Sequence, residues 1–75
     1  MQKWEYIELM LQLNSNNVWV WGNSEVSAKD VSTEQRLNEM GREGWELVSS
    51  YTQSSLAGNA SQTKYFYYIF KRPIA

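Results

Sequence analysis

The sequence lacks both cysteine and histidine among its 75 residues. Without them the chain cannot form disulfides, Cys/His zinc sites, haem ligation by these residues, or Ser-His-Asp and Cys-His catalysis. The sequence also has no large excess of one charge: it contains seven basic and eight acidic residues, and its net charge is −1. This balance argues against a nucleic-acid binder that works mainly through electrostatics. We therefore expect a protein that is not an enzyme and has no catalytic residue, cofactor or metal.

Long hydrophobic runs are missing as well. The longest apolar run is Tyr65–Phe70, far below the roughly 20 residues that span a bilayer. The first 13 residues are interrupted by polar side chains and do not resemble a secretory signal. We expect a cytoplasmic protein with no membrane partner. With 43% apolar and 15% aromatic residues, the chain is predicted to fold as one small domain over residues 1–75.

Two strands joined by a tight turn are predicted at the start of the chain. Lys3–Leu13 alternates apolar and polar residues, and Val18–Trp21 consists of β-branched and aromatic residues. Asn14–Asn17 between them is a turn sequence, because asparagine tolerates left-handed backbone. The alternation of the first strand changes phase near Tyr6–Ile7, which predicts either a bulge there or a strand that is covered on both faces.

One helix is predicted in the middle of the chain, over Thr33–Glu43. Ser32 and Gln35 have the spacing of a capping box, in which the serine side chain accepts from the backbone. Gly44 stands where a left-handed residue ends a helix. Gly41 is expected to allow close packing of the helix against a sheet.

The second half of the chain predicts two further strands and the fold class. Trp45–Thr52 and Tyr65–Lys71 have strand composition, and Gln53–Thr63 is polar and predicts a mobile loop. Pro73 is expected to end the last strand. The order β-β-α-β-β predicts an α+β fold: a four-stranded antiparallel sheet in the order 2-1-3-4, with one helix packed on one face.

Three segments together resemble a known family. They are Trp4-Glu5-Tyr6, the helix and strand segment Leu37–Ser49, which contains Glu-Gly-Trp-Glu-Leu-Val, and Tyr68–Pro73. The chain resembles the small bacterial family known as domain of unknown function 4177. The resemblance implies a short α+β domain and carries over no activity and no catalytic residues.

Glu39, Glu43 and Glu46 cluster near the predicted end of the helix. Paired carboxylates of this kind can serve acid–base chemistry or bind a metal through oxygen ligands. We interpret them instead as part of a solvated helix surface with arginines nearby.

The aromatic residues carry the main functional prediction. The last strand places Phe66, Tyr68 and Phe70 on one face and Tyr65, Tyr67 and Ile69 on the other, and we assign the phenylalanine face to the helix. One short helix covers only one face of a sheet, so apolar surface remains for a partner. We expect a homo-oligomer, most simply a dimer, that uses this sheet face or an edge. The candidate interface residues are Trp19, Trp21, Tyr65, Tyr67 and Ile69.

Two alternatives remain open at this point. A small-molecule ligand could bind at a subunit interface. Single-stranded nucleic acid could stack on the aromatic strand, which Lys64, Lys71 and Arg72 flank.

Overall fold

The computed structural model of the chain describes residues 1–22, 26–57 and 60–74. Within them the predicted α+β architecture is confirmed: a four-stranded, fully antiparallel sheet and one helix. The elements, in chain order, are β1 (Lys3–Leu13), β2 (Trp19–Trp21), α1 (Thr33–Arg42), β3 (Glu46–Ala57) and β4 (Ala60–Ile74).

The order of the strands across the sheet is β2-β1-β4-β3, so the neighbour of β1 is β4 and not β3. The predicted order 2-1-3-4 placed the third strand in the centre, and this is a correction. β4 carries aromatic or aliphatic residues on both faces. A central position suits such a strand, because neighbouring strands on both sides shield these side chains from water. β3 contains four serines and a threonine besides its apolar residues, so it loses less by lying at the edge of the sheet, where side chains are more exposed to water.

The second half of the sheet is one long hairpin. β3 and β4 pair from Glu46 opposite Lys71 to Ala57 opposite Ala60. The predicted loop Gln53–Thr63 is therefore mostly strand, and only its residues 58 and 59 lie outside the described residues. Ladder hydrogen bonds do not depend on side-chain polarity, which explains how a Ser- and Gln-rich segment joins the sheet. Pro73 does not end β4, since it lies opposite Trp4 inside the ladder.

The first hairpin forms as predicted. The Asn14 side-chain oxygen accepts from the backbone N–H groups of Asn16 (2.9 Å) and Val18 (3.0 Å), and Asn17 has a φ of 60°. β1 pairs with β4 without a register shift from Lys3 to Gln12. The phase change in β1 is therefore not a bulge, and the strand has apolar side chains on both faces.

The helix boundaries follow the sequence signals closely. The Ser32 hydroxyl accepts from the Gln35 backbone N–H at 3.1 Å, and Gly44 takes the left-handed conformation with a φ of 87°. The helix ends at Arg42, one residue before the predicted end. The expected close packing at Gly41 is wrong, because a Cβ built there has no atom within 4 Å.

One face of the sheet holds most of the core, and we call it the core face. Phe70 is 1% exposed and lies opposite Ile7 of β1. The ring centroids of Trp19 and Phe66 are 5.2 Å apart, and those of Trp21 and Tyr68 are 6.1 Å apart. Leu11 and Trp21 are also buried on this face, and Met40 of the helix is buried, whereas the buried Val20 pairs with Gln12 and lies on the opposite face.

Candidate functional site

The opposite face of the sheet presents the remaining strand aromatics. Antiparallel partners point to the same side, so the register places these side chains together. We call the surface formed by Trp4, Tyr6, Tyr51, Tyr65 and Tyr67 the tyrosine face. Trp4, Tyr6 and Tyr51 are exposed to water, with Tyr6 at 64% of its full area.

Three tyrosines of this face form a stacked row. The rings of Tyr51 and Tyr67 lie 4.7 Å apart at an interplanar angle of 16°, as a cross-strand pair. Tyr65 continues the row, with its centroid 6.2 Å from that of Tyr67. The Tyr67 hydroxyl donates to the Gln53 side-chain oxygen at 3.0 Å. The row is therefore held in one orientation before any partner arrives.

A carboxylate lies within this aromatic surface. The Tyr51 hydroxyl donates to Glu8 at 2.9 Å, across the width of the sheet from β3 to β1. This hydrogen bond, together with loss of hydration and the negative charge of Glu8, raises the pKa of Tyr51 above its ordinary value of 10.0. The tyrosine face thus combines rings with an acidic group.

A cation lies at the other end of the same face. The Lys71 ammonium is 4.2 Å from the centroid of the Trp4 ring, within the range of a cation–π contact. Lys71 lies directly opposite Tyr6 and is flanked on β3 by Glu46, whereas Glu8 lies two residues further along β1, so the face carries charges of both signs.

The predicted interface residues do not form one surface. Tyr65, Tyr67 and Ile69 lie on the side of the tyrosine face, as predicted. Trp19 and Trp21 lie on the core face, where Trp21 is 5% exposed and its indole N–H donates to the Val31 carbonyl at 2.8 Å. A side chain buried within its own chain cannot serve as exposed contact surface, so Trp21 is a core residue.

The sequence reasoning missed three members of the exposed surface, which are Trp4, Tyr6 and Tyr51. The signal for the first two was present in the phase change of β1. Alternation places Trp4 and Tyr6 on the face opposite Ile7 and Leu9 once the bulge is ruled out. Tyr51 could not be assigned, because a register shift between Leu47 and Ser49 changes the facing of β3.

A second cluster is centred on Arg72, where helix end and sheet meet. The Arg72 guanidinium lies 4.2 Å from the Trp45 ring centroid, donates to the Glu43 carbonyl at 3.1 Å, and forms an ion pair with Glu5. One planar cation thereby links the residues around the helix stop at Gly44 to both central strands.

The Arg72 cluster and the contact between Trp4 and Lys71 bring together residues that are far apart in the sequence. A comparison with protein-family models matches residues 4–73 to the family described as domain of unknown function (DUF4177). The chain belongs to this family. The match covers nearly the whole chain and confirms the resemblance found in its motifs. No curated protein and no solved structure matches the chain.

The acidic residues near the helix end of this DUF4177 domain do not gather. Glu39 pairs with Arg36 at 3.1 Å, one turn earlier on the helix. Within residues 1–22, 26–57 and 60–74, no three carboxylates are grouped as a metal site would require. The same part of the chain contains no helix with the length and apolar character needed to cross a bilayer.

A shallow cavity of about 320 Å³ lies where β2 stops alongside β1. Its lining includes Met10, Gly22 and Arg36, and the Arg36 guanidinium lies 5.5 Å from the Trp21 ring centroid. The cavity marks the point beyond which β1 has no strand neighbour on that side among the described residues.

Proposed function

We propose that this DUF4177 domain is a non-catalytic interaction module that associates with copies of itself. The observation that carries the proposal is the tyrosine face. It combines a row of stacked rings with the exposed side chains of Trp4, Tyr6 and Tyr51. Tyrosine and tryptophan are enriched at interfaces because their rings bury large areas while losing little conformational entropy. The absence of histidine and cysteine supports the non-catalytic part of the proposal.

The proposal includes the position of the helix, which we place over the core face. Three contacts support this: Met40 of α1 is buried, Arg36 of α1 stacks on Trp21, and the carbonyl of Val31, just before α1, accepts from that same indole. The chain leaves the sheet at the β2 edge and re-enters it at the β3 edge, so the connection crosses the sheet. A helix over the core face leaves the tyrosine face for a second copy.

Exposed apolar surface of this kind favours association in water. Burial of apolar area contributes roughly 25 cal/mol per Å², and a domain of this size has little core of its own. A second copy restores part of that burial without any other ligand.

The test is a measurement of molar mass by light scattering, over a concentration series from about 10 μM to about 1 mM, the range for contacts of modest affinity. We expect the mass to rise from 8.8 kDa towards twice that value. Tyr6→Lys is expected to keep the mass at that of the monomer. Val48→Lys is the matched control, because Val48 is 50% exposed and lies in the register shift of β3, two strands away from Tyr6.

A constant mass of 8.8 kDa over the whole series would reject self-association. In that case, titration of the monomer with an oligonucleotide, and native mass spectrometry of the purified protein, identify the other classes of partner.

A further inference from the structure

Within the part of the chain that the structure describes, the first half of β1 has a free backbone edge next to the tyrosine face. The Gly22 N–H donates to the Met10 carbonyl at 2.7 Å, and the Asn14 N–H donates to the Val18 carbonyl at 2.9 Å. Both N–H and C=O of a residue in an antiparallel strand point to the same side, so the even-numbered residues of β1 face β2. β2 ends at this point, and Trp4, Tyr6 and Glu8 have no backbone partner there among the described residues.

The other edge of the sheet is less suited to pairing. β3 has two register shifts, between Leu47 and Ser49 and between Gln53 and Ser54. Bulges twist an edge strand and protect it from pairing with another chain. β1 has no shift from Lys3 to Gln12, so its edge presents regularly spaced donors and acceptors.

We propose that two copies of the domain pair antiparallel through their β1 edges about a twofold axis at Tyr6. Trp4 of each copy then lies opposite the partner's Glu8, and the two Tyr6 residues lie opposite each other. This proposal rests on the self-association proposed above and assigns it to the β1 edge, where the Trp4 and Tyr6 side chains at the border of the tyrosine face gain cross-strand contacts.

The length of the free edge selects this register. Gly22 occupies the position next to Met10, and β1 begins at Lys3, so the available segment runs from residue 3 to residue 9. Its midpoint is Tyr6, whose backbone N–H and C=O both point to the free edge. The twofold axis therefore passes through a hydrogen-bonded pair formed by the two Tyr6 residues. The pairs formed by Trp4, Tyr6 and Glu8 then use every free group of these three residues in both copies.

The neighbouring registers are worse for identifiable reasons. An axis at Glu5 places the two Glu5 carboxylates opposite each other, and like charges in that position are destabilising. An axis at Ile7 places Trp4 opposite the partner's Met10, where Gly22 already lies.

The side chains complement one another in the proposed register. Glu8 lies opposite the partner's Trp4, and the Lys71 ammonium is 4.2 Å from the Trp4 ring in each copy. Each negative charge is thus brought towards a positive one, twice across the axis. The pairing joins two sheets into one of eight strands, with both tyrosine faces on the same side. A strand edge of this length buries less than the roughly 1,200 Å² of a standard interface, so we expect modest affinity.

The absence of cysteine makes a disulfide test clean, because a single introduced cysteine has only its copy as a partner. Directly opposed residues of a hydrogen-bonded pair have Cα atoms about 5.5 Å apart, which a disulfide can span. Tyr6→Cys is therefore expected to form a disulfide-linked dimer under mild oxidation. Glu8→Cys is the matched control, because position 8 is exposed on the same edge. In the proposed register, position 8 of one copy and position 8 of the other are offset by about four residues along the paired strands, too far for a disulfide.

A second measurement uses an equimolar mixture of Trp4→Cys and Glu8→Cys, which are opposed in this register. We expect a mixed disulfide in the mixture and no more than collisional cross-linking for either variant alone. Circular dichroism of each variant shows that the compared chains are folded.

The outcomes separate the two proposals. Equal cross-linking of Tyr6→Cys and Glu8→Cys, in a protein that light scattering shows to be dimeric, overturns the β1 register and leaves self-association in place. A parent protein that stays monomeric overturns both. Efficient cross-linking of Tyr6→Cys and of the mixture, with little for Glu8→Cys alone, supports the edge-paired dimer.

Discussion

Two glycines of the helix segment offer a matched pair of substitutions with opposite expected signs. Gly44 has a φ of +87°, and Gly41 lies inside α1, yet a Cβ built at either position has no atom within 4 Å. The added methyl group therefore makes no new packing contact at either position, so the change in unfolding free energy depends on the backbone conformation alone. We expect Gly44→Ala to lower the free energy of unfolding and Gly41→Ala to raise it.

The magnitude follows from the two conformations. A Cβ in left-handed backbone costs about 1 to 2 kcal/mol, whereas alanine in a helix interior is better than glycine by about 0.5 to 1 kcal/mol. With a urea dependence of about 1 kcal/mol per M for a domain of this size, the midpoint falls by about 1 M or more for Gly44→Ala. For Gly41→Ala it rises by about 0.5 M or more.

The assay is urea unfolding followed by circular dichroism, at one low protein concentration so that self-association does not contribute to the midpoint. An unchanged midpoint for Gly44→Ala would refute the left-handed stop at this residue. A lower midpoint for Gly41→Ala would show that the helix packs closely at a surface where the structure has open space.

Three further predictions follow from the contacts of single residues. Tyr51→Phe is expected to remove a late phase of the alkaline absorbance titration, since the hydrogen bond to Glu8 raises the pKa of Tyr51. This contact stabilises the fold fully below pH 10 and is lost as the pH rises through the raised pKa, so the difference in stability between Tyr51→Phe and the parent should shrink in strong alkali. Phe70→Ala, at a site 1% exposed, is expected to lower the free energy of unfolding by about 3 to 5 kcal/mol, and a loss below about 1 kcal/mol in urea unfolding would contradict the assignment of the core. Arg72→Lys is expected to lower the unfolding free energy by about 1 kcal/mol, because lysine does not stack as a plane on Trp45, and unchanged urea unfolding would argue against that contact.

The family motifs acquire a structural meaning in the Arg72 cluster. The three segments that carry the resemblance contribute Glu5, Trp45 and Arg72, and Arg72 contacts each of the other two in the structure. The glycine stop at Gly44 sets Trp45 directly after the helix, within reach of the arginine. These motif residues link the end of the helix to the two central strands.

The candidate site was only partly predictable. Tyr65, Tyr67 and Ile69 were assigned to one face by alternation within a single strand, and the register agrees. Trp19 and Trp21 were grouped with them in error, because the relative facing of two strands depends on a register that no short-range signal defines. The free edge of β1 was not visible in the sequence either, since it depends on how far β2 extends beside β1 and on which strand pairs with its other side.

The sequence by itself determined the features that depend on neighbouring residues. The turn at Asn14–Asn17, the cap at Ser32 and the stop at Gly44 all follow from contacts or backbone preferences within a few positions of the chain. The tertiary structure decided the strand order, the extension of the second hairpin into the polar segment 53–63, and the division of the aromatics between two faces. Those choices depend on pairing between residues tens of positions apart, where burial and ladder hydrogen bonds outweigh local propensity.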